Sequence, residues 1–94
     1  MSLSYNALLV NKIIADFQKG EKHSSFDKLR EFVNKNPKDT TARYNFALMC
    51  EELNYNDLAI DHYYKVIKKN SNHWRSKFNL YLIFINQKKY EEAL

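Results

Sequence analysis

The residues able to do acid–base, nucleophilic or metal chemistry are few and dispersed. His23, His62 and His73 stand in different segments, and Asp61 and His62 are neighbours in sequence, which on a helix sends their side chains apart. No HExxH motif, nucleophile motif or carboxylate pair set in a loop occurs. The single Cys50 excludes a disulfide framework and any multi-cysteine metal site, and its place among apolar residues reads as packing. Glu51-Glu52 and Glu91-Glu92 read as solvated helix charges, and Trp74 as a packing residue. Catalysis, a cofactor and a metal are therefore not expected. The chemistry that does recur is amide chemistry. Asn11, Asn45 and Asn79 follow one another at intervals of 34 residues. An asparagine side chain offers two donors and an acceptor, the complement of a peptide unit. A row of them could hold an extended chain by its backbone.

The elements that would carry this row are helices. Of 94 residues one is Gly and one is Pro, which argues against the many tight turns of an all-β protein and removes Gly-rich phosphate loops. Apolar residues fall at helical spacing over about 4–18, 24–35, 40–53, 56–69 and 72–87, with a sixth segment opening near Lys89. The breaks between them are short and polar. Asp39, Thr40, Asn56 and Asn72 are candidate N-caps, Gly20 and Asn54 can take a left-handed helix end, and Pro37 marks a stop. Phe78–Ile85 has the propensity of a buried strand, yet no partner strand exists, so a helix is expected, apolar on nearly all sides and buried on more than one. The longest apolar run, Leu80–Ile85, is too short to span a bilayer, and no signal peptide pattern opens the chain, which points to an intracellular, cytoplasmic protein.

The 34-residue shift superposes more than the asparagines. Val10 falls on Tyr44 and Phe78, Ile14 on Leu48 and Leu82, Phe26 on Ile60 and Leu94, and Ala59 on Ala93. Glu52–Asn72 carries a small Ala59, an aromatic Tyr63 four residues on, and then Val66-Ile67. Lys88–Leu94 repeats the start of that motif with Tyr90 and Ala93, and Asn36–Asp39 is a short link between copies. On these residues the chain resembles a tetratricopeptide repeat protein. The copies are about 6–39, 40–73 and a partial 74–94, in one domain spanning 1–94. Ser25 replaces the usual small Ala in the first copy. Lys12-Ile13, Phe46-Ala47 and Leu80-Tyr81 stand where Leu-Gly is common. The resemblance implies an all-α fold of stacked antiparallel hairpins in a right-handed superhelix, with small residues at close helix approaches and aromatics between hairpins.

The resemblance also implies that the first helix of each hairpin lines a concave groove. The groove residues would then be Asn11, Asn45 and Asn79 for backbone groups, with Val10, Tyr44, Phe78, Ile14, Leu48 and Leu82 for apolar contact and Arg75 for charge. The expected function is non-catalytic binding of a protein or peptide. Two other readings stand beside it. The apolar columns and the Leu80–Ile85 helix could instead be core, buried against further repeats or in a homo-oligomer formed through the third repeat. Equally, the chain could be the N-terminal docking part of a longer protein such as a transferase. A carboxylate clamp is not expected, since only Asn45 and Arg75 fit one. The net charge of +4 comes from lysines scattered over helix ends and turns, so neither nucleic acid nor membrane is an expected partner.

Overall fold

The computed structural model describes residues 4–93, and the side chains of Tyr90, Glu92 and Ala93 fall outside that description. The motif columns assigned to Tyr90, Ala93 and Leu94 accordingly lie outside the described residues. The protein is all-α. Five helices follow in order: α1 (Tyr5–Gln18), α2 (Lys22–Lys35), α3 (Thr40–Glu52), α4 (Asn56–Lys69) and α5 (Trp74–Ala93). Each packs on its sequence neighbour, with the α3–α4 pair the most extensive. Connections of a few residues return the chain onto the preceding helix, as in antiparallel neighbours.

The turns repeat at the same 34-residue interval as the sequence. α1 closes with Gly20 at φ 112° and α3 with Asn54 at φ 64°. At the first end Glu21 N–H donates to Asp16 O (3.0 Å) and Gly20 N–H to Phe17 O (3.1 Å). At the second, Tyr55 N–H donates to Cys50 O (2.7 Å) and Asn54 N–H to Glu51 O (2.9 Å). Both are Schellman ends, which satisfy orphan carbonyls and need a residue able to reach positive φ. The links after α2 and α4 also match. Asp39 N–H donates to Asn36 O (3.0 Å) and His73 N–H to Asn70 O (3.1 Å). The Asp39 carboxylate then caps α3 by accepting from Ala42 N–H. In the next copy His73 Nδ1 takes that place, accepting from Ser76 N–H at 3.3 Å. Ser4 caps α1, whereas Thr40 and Asn56 are first residues of their helices and Asn72 lies in the turn. Three of the four expected caps are thus displaced.

The third copy departs from the other two. A break at Gln87–Lys89 and a sixth helix were expected. Instead α5 runs without interruption to Ala93. The physical reason lies in one column: the position of Gly20 and Asn54 is Lys88, a residue that pays the left-handed penalty in full and is a good helix former. With no residue to turn it, the chain stays helical.

The core follows the helical stripes. Val10, Ile13 and Phe17 of α1, Phe26, Leu29, Phe32 and Val33 of α2, Phe46, Ala47 and Cys50 of α3, and Ala59 and Tyr63 of α4 belong to one continuous apolar cluster. Ser25 and Ala59, one repeat apart, are both wholly buried, as close helix approach requires. The apolar α5 was expected to be buried on more than one side, but among its described side chains only Ser76, Leu80 and Ile83 are buried. Trp74, Phe78, Tyr81, Leu82 and Phe84 remain exposed. The main packing of α5 is against α4.

Candidate functional site

Three regions gather polar and apolar groups in a way that could hold a ligand. The first is a cleft of about 300 Å³ between α1 and α3, lined by Ile14, Phe17, Gln18, Asn45, Leu48, Met49 and Glu52. It brings Ile14, Asn45 and Leu48 together, as the helix registers require. Leu48 is 36% exposed, and Leu82, one repeat on, is 40% exposed. Phe78 and Arg75 also face solvent on α5. The Arg75 guanidinium lies over its neighbour Trp74, 5.4 Å from the ring centre.

Other members of the expected groove stand elsewhere. Val10 is only 5% exposed and belongs to the core. Val10 is packed with Ile13 and Phe17 in the core cluster, so it cannot offer a groove contact. The three asparagines share a register but not an environment. Asn11 is exposed. Asn45 Nδ2 donates to Thr41 O of its own helix at 2.9 Å. Asn79 Nδ2 donates to the hydroxyls of Tyr44 and Tyr63, each at 3.3 Å. The Asn79 amide protons therefore point into the protein, and a uniform ladder of three free amides is replaced by two outward positions and one inward one.

Asn79 is part of a polar cluster that sequence reasoning missed. The Tyr63 hydroxyl is wholly enclosed and donates to the Glu51 carboxylate. Tyr44 packs beside Tyr63 with ring centres 5.9 Å apart and beside the His73 ring at 4.8 Å. Desolvation, joined by the negative Glu51, pushes the Tyr63 phenol well above the ordinary tyrosine range, so it stays a neutral donor. Glu51 is thus not a free solvated charge; only its neighbour Glu52 is exposed, paired with Lys22 at 3.2 Å. The signal available was Glu51 in an inward column next to the aromatic position of the repeat. No pattern rule ties a carboxylate in α3 to a tyrosine in α4.

The second region, about 750 Å³, lies where the α3–α4 turn faces the end of α5. Its walls are Glu51, Asn54, Asn56, Ile83, Asn86, Gln87 and Glu91, a mixture of amides and carboxylates suited to hydrogen bonding. The third is an apolar cleft of about 550 Å³ on the outer side of α4 and α5, lined by Tyr64, Ile67, Lys77, Leu80, Tyr81, Phe84, Ile85 and Lys88.

The groups named at the outset for chemistry are held in structural roles. Burial pushes the Cys50 thiol up to about 12 and keeps it protonated. His62 is buried, and its Nδ1 lies 2.9 Å from an Arg43 guanidinium nitrogen, which can only donate. Desolvation first, and then the adjacent Arg43 charge, lower its pKa to about 4. His62 is therefore neutral at physiological pH, with its proton on Nε2. Among the described residues, no three His, Cys, Asp or Glu side chains are gathered to hold a metal. No helix among the described residues is long and apolar enough to cross a membrane.

Comparison of the chain with protein-family models and with curated protein sequences gives no match. The functional reading therefore rests on the residues and geometry above.

Proposed function

We propose that this protein is a non-catalytic interaction module of the tetratricopeptide-repeat type, which holds a peptide or helix of a partner protein along the face shared by α1, α3 and α5. The observation that carries the reading is the row Ile14, Leu48 and Leu82. These aliphatic side chains recur at 34-residue intervals; Ile14 is partly buried, while Leu48 is 36% and Leu82 40% exposed. Single exposed leucines are ordinary, whereas a periodic row marks a surface built to be covered. Asn45 beside Leu48 supplies a backbone-directed amide, Asn11 a second, and Phe78 and Arg75 extend the face along α5. Asn79, bonded to Tyr44, ties α5 to α3 behind this face. A chain with one buried, protonated cysteine suits a reducing cytoplasm.

Selection from a displayed library of random peptides supplies a defined probe. The affinity of the enriched peptide is then measured on the intact protein and on variants. Leu48→Asp together with Leu82→Asp should weaken binding at least tenfold, and Asn11→Ala with Asn45→Ala should weaken it several-fold, with helicity unchanged by circular dichroism. Peptides that bind all variants equally would show that this face is not the site.

A further inference from the structure

The outer side of α5 carries a seam that the proposed groove does not use. Lys77, Tyr81, Phe84, Lys88 and Glu91 follow one another at spacings of four and three, the stripe by which one helix meets another, with the exposed Glu91 at its edge, where it also borders the polar region at the α3–α4 turn. About 100° per residue puts this stripe on the far side of α5 from Arg75 and Leu82. Tyr81 is 55% exposed and Phe84 43%. One repeat earlier the same columns hold Ala47 and Cys50, both 0% exposed in the core of α3, which packs between α2 and α4. In the third copy the chain continues straight along α5, and the equivalent face is the apolar cleft walled by Tyr64 and Ile67 of α4.

We propose that this face docks the same face of a second copy, with the two α5 helices antiparallel about a two-fold axis at Phe84. The charges on the stripe are arranged for that occupant. Lys77 lies seven residues before Phe84 and Glu91 seven residues after it. Antiparallel pairing at this centre therefore sets Lys77 opposite Glu91 of the partner subunit, twice over. Phe84 meets the partner's Phe84. Tyr81 falls beside the partner's Lys88, where an ammonium can sit against the ring. A parallel pairing in register would oppose like charges at Lys77, Lys88 and Glu91. Aromatic side chains where the previous repeat has Ala and Cys also suit a helix held further off than α4 is from α3. A contact of one helix pair with its flanks covers roughly 1,000 Å² in total, at the lower edge of specific interfaces, so the association is weak and concentration-dependent.

Sedimentation equilibrium between about 10 μM and 1 mM tests it, a range that spans weak dissociation constants. The wild-type chain should pass from monomer to dimer, with no higher species. Phe84→Glu should remain monomeric throughout. Glu91→Lys sets two like-charge pairs across the axis and should weaken dimerisation by about tenfold or more. Lys77→Glu combined with Glu91→Lys should restore it to within a few-fold of wild type. All three positions are exposed, so circular dichroism should show the same helicity in every variant. A wild type that stays monomeric at the top of the range would overturn the proposal. A dimer indifferent to Phe84→Glu, or a charge reversal that does not rescue, would overturn the two-fold register. Peptide binding at the opposite face is read separately and does not depend on any of these outcomes.

Discussion

His62 shows how one side chain links the packing of this protein to pH. Its ring meets Phe46 edge-on at 4.9 Å, and its Nδ1 accepts from Arg43. In the unfolded chain it titrates near 6.5, in the folded one near 4. Between those values the unfolded state holds more protons, so stability that is complete above pH 6.5 is lost as pH falls toward 4. The loss attributable to this residue is at most about 3–4 kcal/mol. Thermal unfolding of wild type and His62→Gln across this window checks it: the wild-type melting temperature should fall with acidity more steeply than that of the variant. Parallel slopes would assign the acid sensitivity elsewhere. At this scale the sequence was a poor guide. Cys50 in an apolar column could be read as packing. The enclosure of His62 and the bond from Tyr63 to Glu51 could not, because each joins residues on different helices.

At the scale of the element, helix ends decide the topology. Gly20 has no atom within 4 Å of where a β-carbon would stand, so Gly20→Ala meets no obstruction and its cost is purely conformational. It should amount to about 1–2 kcal/mol, read from urea unfolding. Asn54 occupies a milder left-handed conformation at φ 64°. Asn54→Gly should be neutral or stabilise by up to about 1 kcal/mol, while Asn54→Ala should destabilise. An Ala at 54 as stable as Asn would mean that the Schellman geometry is not what stops α3. The same rule explains the chief departure from expectation. Polar residues at Gln87–Lys89 look like a break, but polarity alone does not end a helix, and Lys88 holds the column where the other copies have Gly and Asn. The boundaries of α1 to α4 were legible because the polar breaks, and at α1 and α3 the left-handed terminators, are local features of the chain, whereas the capping side chains were mostly misplaced.

The whole molecule is a linear stack in which each helix leans on its sequence neighbours, so stability is a sum of local interfaces. Such a stack is not uniformly stable. α3 is enclosed between α2 and α4, and carries five buried residues in thirteen. α5 packs mainly on α4 and reaches α3 through the Asn79–Tyr44 bond, with Ser76, Leu80 and Ile83 as its buried described side chains. In dilute protein, amide hydrogen exchange should therefore be fastest through α5 and slowest in α3 and the adjoining face of α4. Equal protection across all five helices would show that the chain opens only as one unit.

Much of this architecture follows from the sequence by itself. The period of 34 residues, the helical stripes, the left-handed ends at Gly20 and Asn54 and the stop at Pro37 are all properties of short stretches, governed by side-chain spacing and backbone sterics. Tertiary structure alone decided which members of each column face water. Val10, Tyr44 and Phe78 are equivalent by period, yet the first is core, the second half-buried in a polar cluster and the third exposed. Asn11, Asn45 and Asn79 diverge in the same way. Equivalence in a repeat fixes the angle at which a side chain leaves its helix. What lies in that direction depends on the neighbouring helix, and α1, α3 and α5 each have a different set.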